Sequence, residues 1–178
     1  LYCVTSAKGG SGATSLAINL ATSFADAHKA GVALVDLNCP VGDAVSHLNL
    51  KPQYTVTDAL ESASRLDSVL LDSFTIHTHG VAVLPGPKEY KQGYRPNIDA
   101  LGKLLEVLVR SYTHSFVDLP FSLDREQMQM VCEMAANIVV VSVPEVPALW
   151  RTQRLIRFLT ASGNQEKIRL VINRAVKK

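Results

Sequence analysis

Leu1-Tyr2-Cys3-Val4-Thr5-Ser6-Ala7-Lys8-Gly9-Gly10-Ser11-Gly12-Ala13-Thr14-Ser15 opens the chain, and its reading decides the fold. The apolar run over 1–5 predicts a short strand. The stretch over 15–28, with Leu16, Leu20 and Phe24 at i, i+4 and i+8, predicts the helix after it. Between them stand three glycines, Gly9, Gly10 and Gly12. Glycine lets the backbone turn tightly and aim successive N–H groups into one hollow. The first helical turn, expected over 13–16, adds unpaired N–H groups and the positive end of its dipole, which suit a phosphate. The strict phosphate loop reads Gly, four residues, then Gly-Lys-Ser/Thr. Ala7 stands where its first Gly belongs and Ala13 where its Lys belongs, while Thr14 keeps the hydroxyl expected to ligate magnesium. The plain structural alternative is a Gly-rich turn for close helix–strand packing. Such a turn has no need of the cation at Lys8, whereas a phosphate cluster does.

Outward from this loop, short apolar runs alternate with longer helical stretches. Strands are predicted over 32–36, 81–84, 116–119, 138–143 and 168–172, and helices over 97–111, 124–135 and 145–161. The last of these helices is expected to turn Val146, Leu149, Ile156 and Leu159 inward. Residues 37–52 read as a loop; Thr55 or Thr57 can cap a short helix over 58–61, and 65–71 can form another. The alternation predicts an α/β fold with a mostly parallel sheet. Such sheets carry ligands beyond the carboxyl ends of their strands. The segments to inspect are therefore 7–15, 36–43, 85–90, 118–122, 144–147 and 173–174.

Composition narrows the classes. A chain of 178 residues is sized for one domain, taken as 1–178, and 47% apolar residues exclude a disordered polyelectrolyte. Eighteen Lys and Arg against sixteen Asp and Glu leave a net charge of +2, which does not favour nucleic acid as a partner. No apolar run reaches the ~20 residues of a transmembrane segment. Three cysteines without CxxC spacing fit a reducing, cytoplasmic compartment, and the five histidines form no metal-ligand set. The chain starts inside a strand without Met and stops just after another, so a domain excised from a longer chain is expected.

The segment Lys8-Gly9-Gly10-Ser11-Gly12-Ala13-Thr14-Ser15 resembles the deviant Walker A loop of the ParA/MinD ATPases, and the resemblance runs from Leu1 to Arg174. It implies a three-layer α/β/α P-loop NTPase fold of Rossmann-like build, ATP and Mg²⁺ as cofactors, and a homodimer with nucleotide sandwiched between the subunits. It also implies that Lys8 reaches across to the partner's phosphates. Gly9, Gly10, Ser11, Gly12, Ala13, Thr14 and Ser15 would cradle phosphate, with Thr14, Asp36 and Asp118 managing the metal. Ala13 in place of the family's second lysine, with Asp118-Leu119-Pro120 downstream, resembles the CpaE/TadZ branch, which helps position Flp or tight-adherence pilus assembly. That branch implies pilus-assembly or polar-localisation partners and recruitment to a cell pole or an inner-membrane machine.

The acidic positions modify the expected chemistry. Asp36 ends the second strand, where it can serve as a turn or helix cap, as a carboxylate behind the metal's own ligands, or as a magnesium-side carboxylate. The family motif is Asp-x-Asp; here Asn38 holds the second place, and an amide can hold water without accepting its proton. Asp43 could compensate, or could cap a short helical turn after it. Asp118 ends a buried strand as the expected Walker B carboxylate, and Ser122 replaces the family's glycine two residues after Pro120. Asn173 and Arg174, with Pro144 as a rigid rim, are expected at the base, adenine by family likeness; an ordinary turn Asn is the alternative. Lys88, Tyr90, Lys91, Tyr94 and Arg95 form a basic-aromatic loop on the ligand side. Arg151, Arg154 and Arg157 make either a solvated face or a partner surface.

Losing the in-loop lysine and the loop aspartate should cost hydrolysis more than binding. The expectation is an ATP-binding protein that hydrolyses weakly or not at all. Two alternatives stand beside it: an active ATPase for DNA partitioning or division-site placement, and a nucleotide-free scaffold.

Overall fold

The computed structural model describes residues 1–28, 30–39, 41–87, 89, 96–120 and 123–176. Ser122 and the loop residues Lys88, Tyr90, Lys91, Tyr94 and Arg95 lie outside the described residues. In chain order the elements are β1 (Tyr2–Ser6), α1 (Ala13–His28), β2 (Val32–Asp36), α2 (Ala44–His47), α3 (Val56–Glu61), α4 (Ser68–Phe74), β3 (Ile76–Thr78), β4 (Val81–Leu84), α5 (Ile98–Ser111), β5 (His114–Leu119), α6 (Arg125–Met134), β6 (Asn137–Ser142), α7 (Val146–Ala161) and β7 (Ile168–Ile172).

The strands form one sheet in the order β3-β4-β2-β5-β1-β6-β7. Every pair is parallel except β3–β4. Side chains alternate across it as the period of two requires. Val4, Val32, Leu34, Val81, Val83 and Phe116 pack on one face with Ala17, Ile18, Ala21 and Ala25 of α1. Cys3, Ala33, Val35, Val117, Ile138 and Val140 face the other way, toward the buried faces of α3 to α7. Leu101, Leu104, Leu105 and Leu108 of α5 are fully buried there, as their spacing predicts. The three-layer α/β/α architecture is thus the one expected from the sequence.

Several boundaries differ, each for a local reason. The expected loop over 37–52 contains the short α2. The second short helix starts at Ser68 rather than 65, because Asp67 caps it by accepting from the Leu70 N–H at 2.8 Å. The helix before it begins at Val56, closed by a reciprocal capping box between Thr55 and Asp58. β3 was not expected: His79 (φ 48°) and Gly80 (φ 72°) make a two-residue turn with both φ positive, and this folds Ile76–Thr78 back on β4. On α7, Leu159 is buried and Ile156 partly so, but Val146 and Leu149 are exposed. The helix turns Ala148 and Thr152 inward instead, because the Thr152 hydroxyl donates to the buried Ser142 hydroxyl on β6 at 2.9 Å.

Candidate functional site

Strand pairing assembles the site. β2 and β5 run parallel in a register that sets Asp36 directly beside Asp118 at their carboxyl ends. β1, next to β5, delivers the glycine loop to the same edge. Gly10 (φ 75°) and Gly12 (φ 91°) take backbone conformations that L side chains rarely adopt. The loop is held from within: the Ser6 and Ser11 hydroxyls both donate to the Lys8 carbonyl, at 3.0 and 2.7 Å. The Leu16 N–H donates to the Gly12 carbonyl at 3.0 Å and starts α1. The loop wraps a cavity of about 330 Å³, lined by residues 9–15 together with Asn38, Asp43, His47, Asp118 and Arg174.

Asp118 is the hub of this cavity. Its Oδ2 accepts from the Thr14 hydroxyl at 2.5 Å and from the Asn38 amide at 2.6 Å. The same amide nitrogen donates to Asp36 Oδ1 at 2.8 Å, so Asn38 bridges two neighbouring carboxylates. Burial pushes the Asp118 carboxyl up to about 7, and the charges of Asp36 and Asp43 add to the rise against the two hydrogen bonds. Asp36 is fully buried and does not line the cavity. Its Oδ1 also accepts from the Asn38 N–H and its Oδ2 from the Ala44 N–H, each at 2.9 Å, while burial raises its pKa. Asp36, expected as a cap or on the magnesium side, lies behind the cavity wall, with its oxygens bonded to Asn38 and Ala44. A hydroxyl and a carboxylate facing a hollow fit a hydrated divalent cation, and the amide-lined loop fits phosphate.

Asp43 lines the cavity at the N-cap position of α2 without capping it through its side chain. Lys8 lies outside the cavity lining and pairs with Glu145, whose carboxyl it holds below the usual range. Pro144 is exposed and also outside the lining. Asn173 donates from its amide to the Ser11 carbonyl at 3.0 Å and accepts the Arg174 N–H at 2.9 Å, so it ties β7 to the glycine loop. Beside it a second cavity of about 170 Å³ shares Gly12 and Ser15 with the first. Sequence reasoning missed His47 as a site residue. Its ring meets the Ser15 hydroxyl at 3.1 Å across 32 residues of chain, and only the helical turn of α2, hidden inside an apparent loop, brings it there.

A scan against protein-family models finds no match. By sequence the chain is similar to the septum site-determining protein MinD of Bacillus subtilis (strain 168), 26% identical over 173 residues that cover 96% of this chain and 63% of that protein. It is 27% identical to MinD of Thermotoga maritima over 177 residues, 96% of this chain and 62% of that one. The chain thus spans about six-tenths of the length of these curated relatives. By fold it is similar to a ParA family ATPase from Chlorobium tepidum TLS, with a TM-score of 0.88 at 24% identity, covering 98% of this chain and 73% of that one. It likewise resembles MinD of Pyrococcus horikoshii complexed with Mg-ADP, with a TM-score of 0.73 at 20% identity, covering 95% and 66%. In sequence the chain is thus similar to MinD proteins, and in fold to ParA and MinD structures.

Proposed function

We propose that this domain binds ATP with Mg²⁺ in the loop cavity and uses the bound nucleotide to hold a face-to-face homodimer, with hydrolysis slow or absent. The observation that carries the reading is the glycine loop wrapped around a cavity whose floor is the Thr14–Asp118 hydroxyl–carboxylate pair. Main-chain N–H groups of residues 9–15 would hold the phosphates, and Thr14 and Asp118 would hold the metal and its water shell. When bound, the metal neutralises charge on the phosphate oxygens. Asp36 keeps Asn38 and Ala44 in place beside them. Arg174, at the cavity rim, and Asn173 and Pro144 nearby would bound the base side. Lys8 would leave Glu145 and reach the phosphates of the second copy.

Slow hydrolysis follows from two substitutions. Ala13 supplies no in-loop cation, and Asn38 supplies no proton acceptor. Loss of one transition-state donor typically costs about 3–4 kcal/mol, or 10²–10³ in rate. Asp43 is the remaining carboxylate on the cavity wall that could accept a proton from water. Calorimetric titration with Mg-ATP and Mg-ADP, sedimentation in each state and a phosphate-release assay test the reading together. Binding, ATP-dependent dimerisation and turnover far below 1 s⁻¹ are expected. Absence of binding heat with an unchanged melting temperature would leave a nucleotide-free scaffold.

The biological task proposed is spatial positioning of a pilus-assembly machine, supported by Ala13 and Asp118-Leu119-Pro120. The second reading is an active ATPase for division-site placement, favoured by the sequence likeness to MinD proteins. Turnover stimulated by anionic lipid vesicles or by DNA would select it. Among the described residues no helix is long and apolar enough to cross a membrane.

A further inference from the structure

His47 stands in the wall of the phosphate cavity with a hydrogen-bond arrangement that an anion must disturb. Its Nδ1 lies 3.0 Å from the Asp43 carbonyl oxygen, and its Nε2 lies 3.1 Å from the Ser15 hydroxyl. A carbonyl only accepts, so Nδ1 carries the proton. In the neutral ring Nε2 is then an acceptor, and the Ser15 hydroxyl donates to it. Ser15 lies in the first turn of α1, whose N–H groups open on the cavity. A phosphate oxygen arriving there is a second acceptor. It competes for the Ser15 hydrogen, and it faces the Nε2 lone pair unless that nitrogen gains a proton.

The glycine loop offers no cation of its own to a phosphate in this cavity. Ala13 removes the in-loop lysine, and Lys8 is engaged with Glu145. Among the described residues lining the cavity, the side chains able to carry positive charge are His47 and Arg174; those able to carry negative charge are Asp43 and Asp118. Arg174 follows β7, on the far side of the loop from α2. His47 is exposed, so a ligand reaches it without rearrangement of the core.

Resting on the nucleotide-binding reading, we propose that His47 is a phosphate-binding residue. It takes up one proton from solvent as nucleotide enters and donates from Nε2 to the phosphate beside Ser15, in place of the cation absent at Ala13. The Ser15 hydroxyl turns to the same phosphate. With a proton on each nitrogen the ring donates from both, to the Asp43 carbonyl and to the phosphate. Binding therefore strengthens as pH falls.

The experiment is calorimetric titration of ADP in EDTA, so that Asp118 carries no metal. It is run between pH 6 and 8 in buffers of differing ionisation enthalpy, on the full chain and on His47→Gln and His47→Lys. The contribution of Asp118, Asp43 and the nucleotide's own phosphates is common to all three proteins, so their differences isolate position 47. The wild type is expected to take up more protons on binding than either variant. At pH 6, His47→Gln should bind about three- to tenfold more weakly, as for the loss of one solvent-exposed charge-assisted hydrogen bond. His47→Lys should match the wild type at pH 6 and exceed it at pH 8, a rescue that a merely structural role would not show. Melting temperatures without nucleotide should agree among the three. Equal affinity and equal proton uptake in wild type and His47→Gln would overturn the proposal, as would a pH-independent loss that lysine fails to restore. A wild type that binds neither ADP nor Mg-ATP would overturn the nucleotide reading itself.

Discussion

Burial and the neighbouring Asp36 raise the Asp118 carboxyl from 3.8 to about 7, and the hydrogen bonds from Thr14 and Asn38 only partly oppose them. A carboxyl whose folded pKa is raised binds its proton more tightly folded than unfolded. Its contribution to stability is therefore present below about 4 and is lost as pH rises toward 7. At one pKa unit per ~1.4 kcal/mol the loss is on the order of 4 kcal/mol. Ligand-free protein in EDTA should melt at a lower temperature at pH 8 than at pH 5, and Asp118→Asn should remove most of that difference. Magnesium nucleotide should reverse the trend in the wild type, because a cation favours the ionised carboxylate. Asn38 belongs to the same balance. Its amide bridges Asp36 and Asp118, where an aspartate would set a third negative charge. Asn38→Asp is expected to lower the melting temperature without ligand at pH 8, to regain stability with magnesium, and to raise phosphate release above the wild-type rate. A scan with and without Mg²⁺ and a phosphate-release assay read both effects.

Single elements hold the site in place through short connections. Gly42 and Gly86 touch backbone to backbone: a Cβ built on Gly42 would come within 2.5 Å of the Gly86 Cα and 2.8 Å of Asp36 Oδ2. The Gly42 N–H also donates to the Pro87 carbonyl at 2.9 Å. Gly42→Ala must therefore push these loops apart and strain the turn that carries Asn38 and Asp43. A loss of about 1–3 kcal/mol is expected in urea unfolding, with nucleotide affinity falling as well. Asn97 lines neither cavity and serves as a control. It caps α5 by accepting from the Asp99 and Ala100 N–H groups at 2.8 and 3.2 Å. Asn97→Ala should cost about 1 kcal/mol of stability and leave affinity unchanged. Helix and strand periods made α1, α5 and the parallel strands legible in the sequence. What stayed hidden was set by contacts between distant segments. The β3 turn depends on His79 adopting positive φ, which a side chain rarely does. The inward face of α7 was decided by Thr152 meeting Ser142, a polar contact that an apolar stripe does not register.

At the scale of the molecule, the parallel sheet explains why residues scattered from 9 to 174 converge on one cavity: all of their strands end at the same edge. That edge, the glycine loop and Asp118 could be read from sequence. The inward retreat of Asp36, the tie made by Asn173 and the arrival of His47 could not, because each depends on which neighbour is near in three dimensions. The Lys8–Glu145 pair sets a prediction at this scale. Lys8→Ala should retain most of the affinity for ATP in one chain, since Lys8 does not line its own cavity, yet lose ATP-dependent dimerisation in sedimentation.

The bond from Asn173 to the Ser11 carbonyl joins residues 162 apart, so the last strand and the first loop share one fluctuation. Filling the loop makes its opening rarer, and amide hydrogen exchange along β7 should then slow even though a phosphate would touch none of its backbone. The exposed margin of the sheet becomes a distant gauge of occupancy.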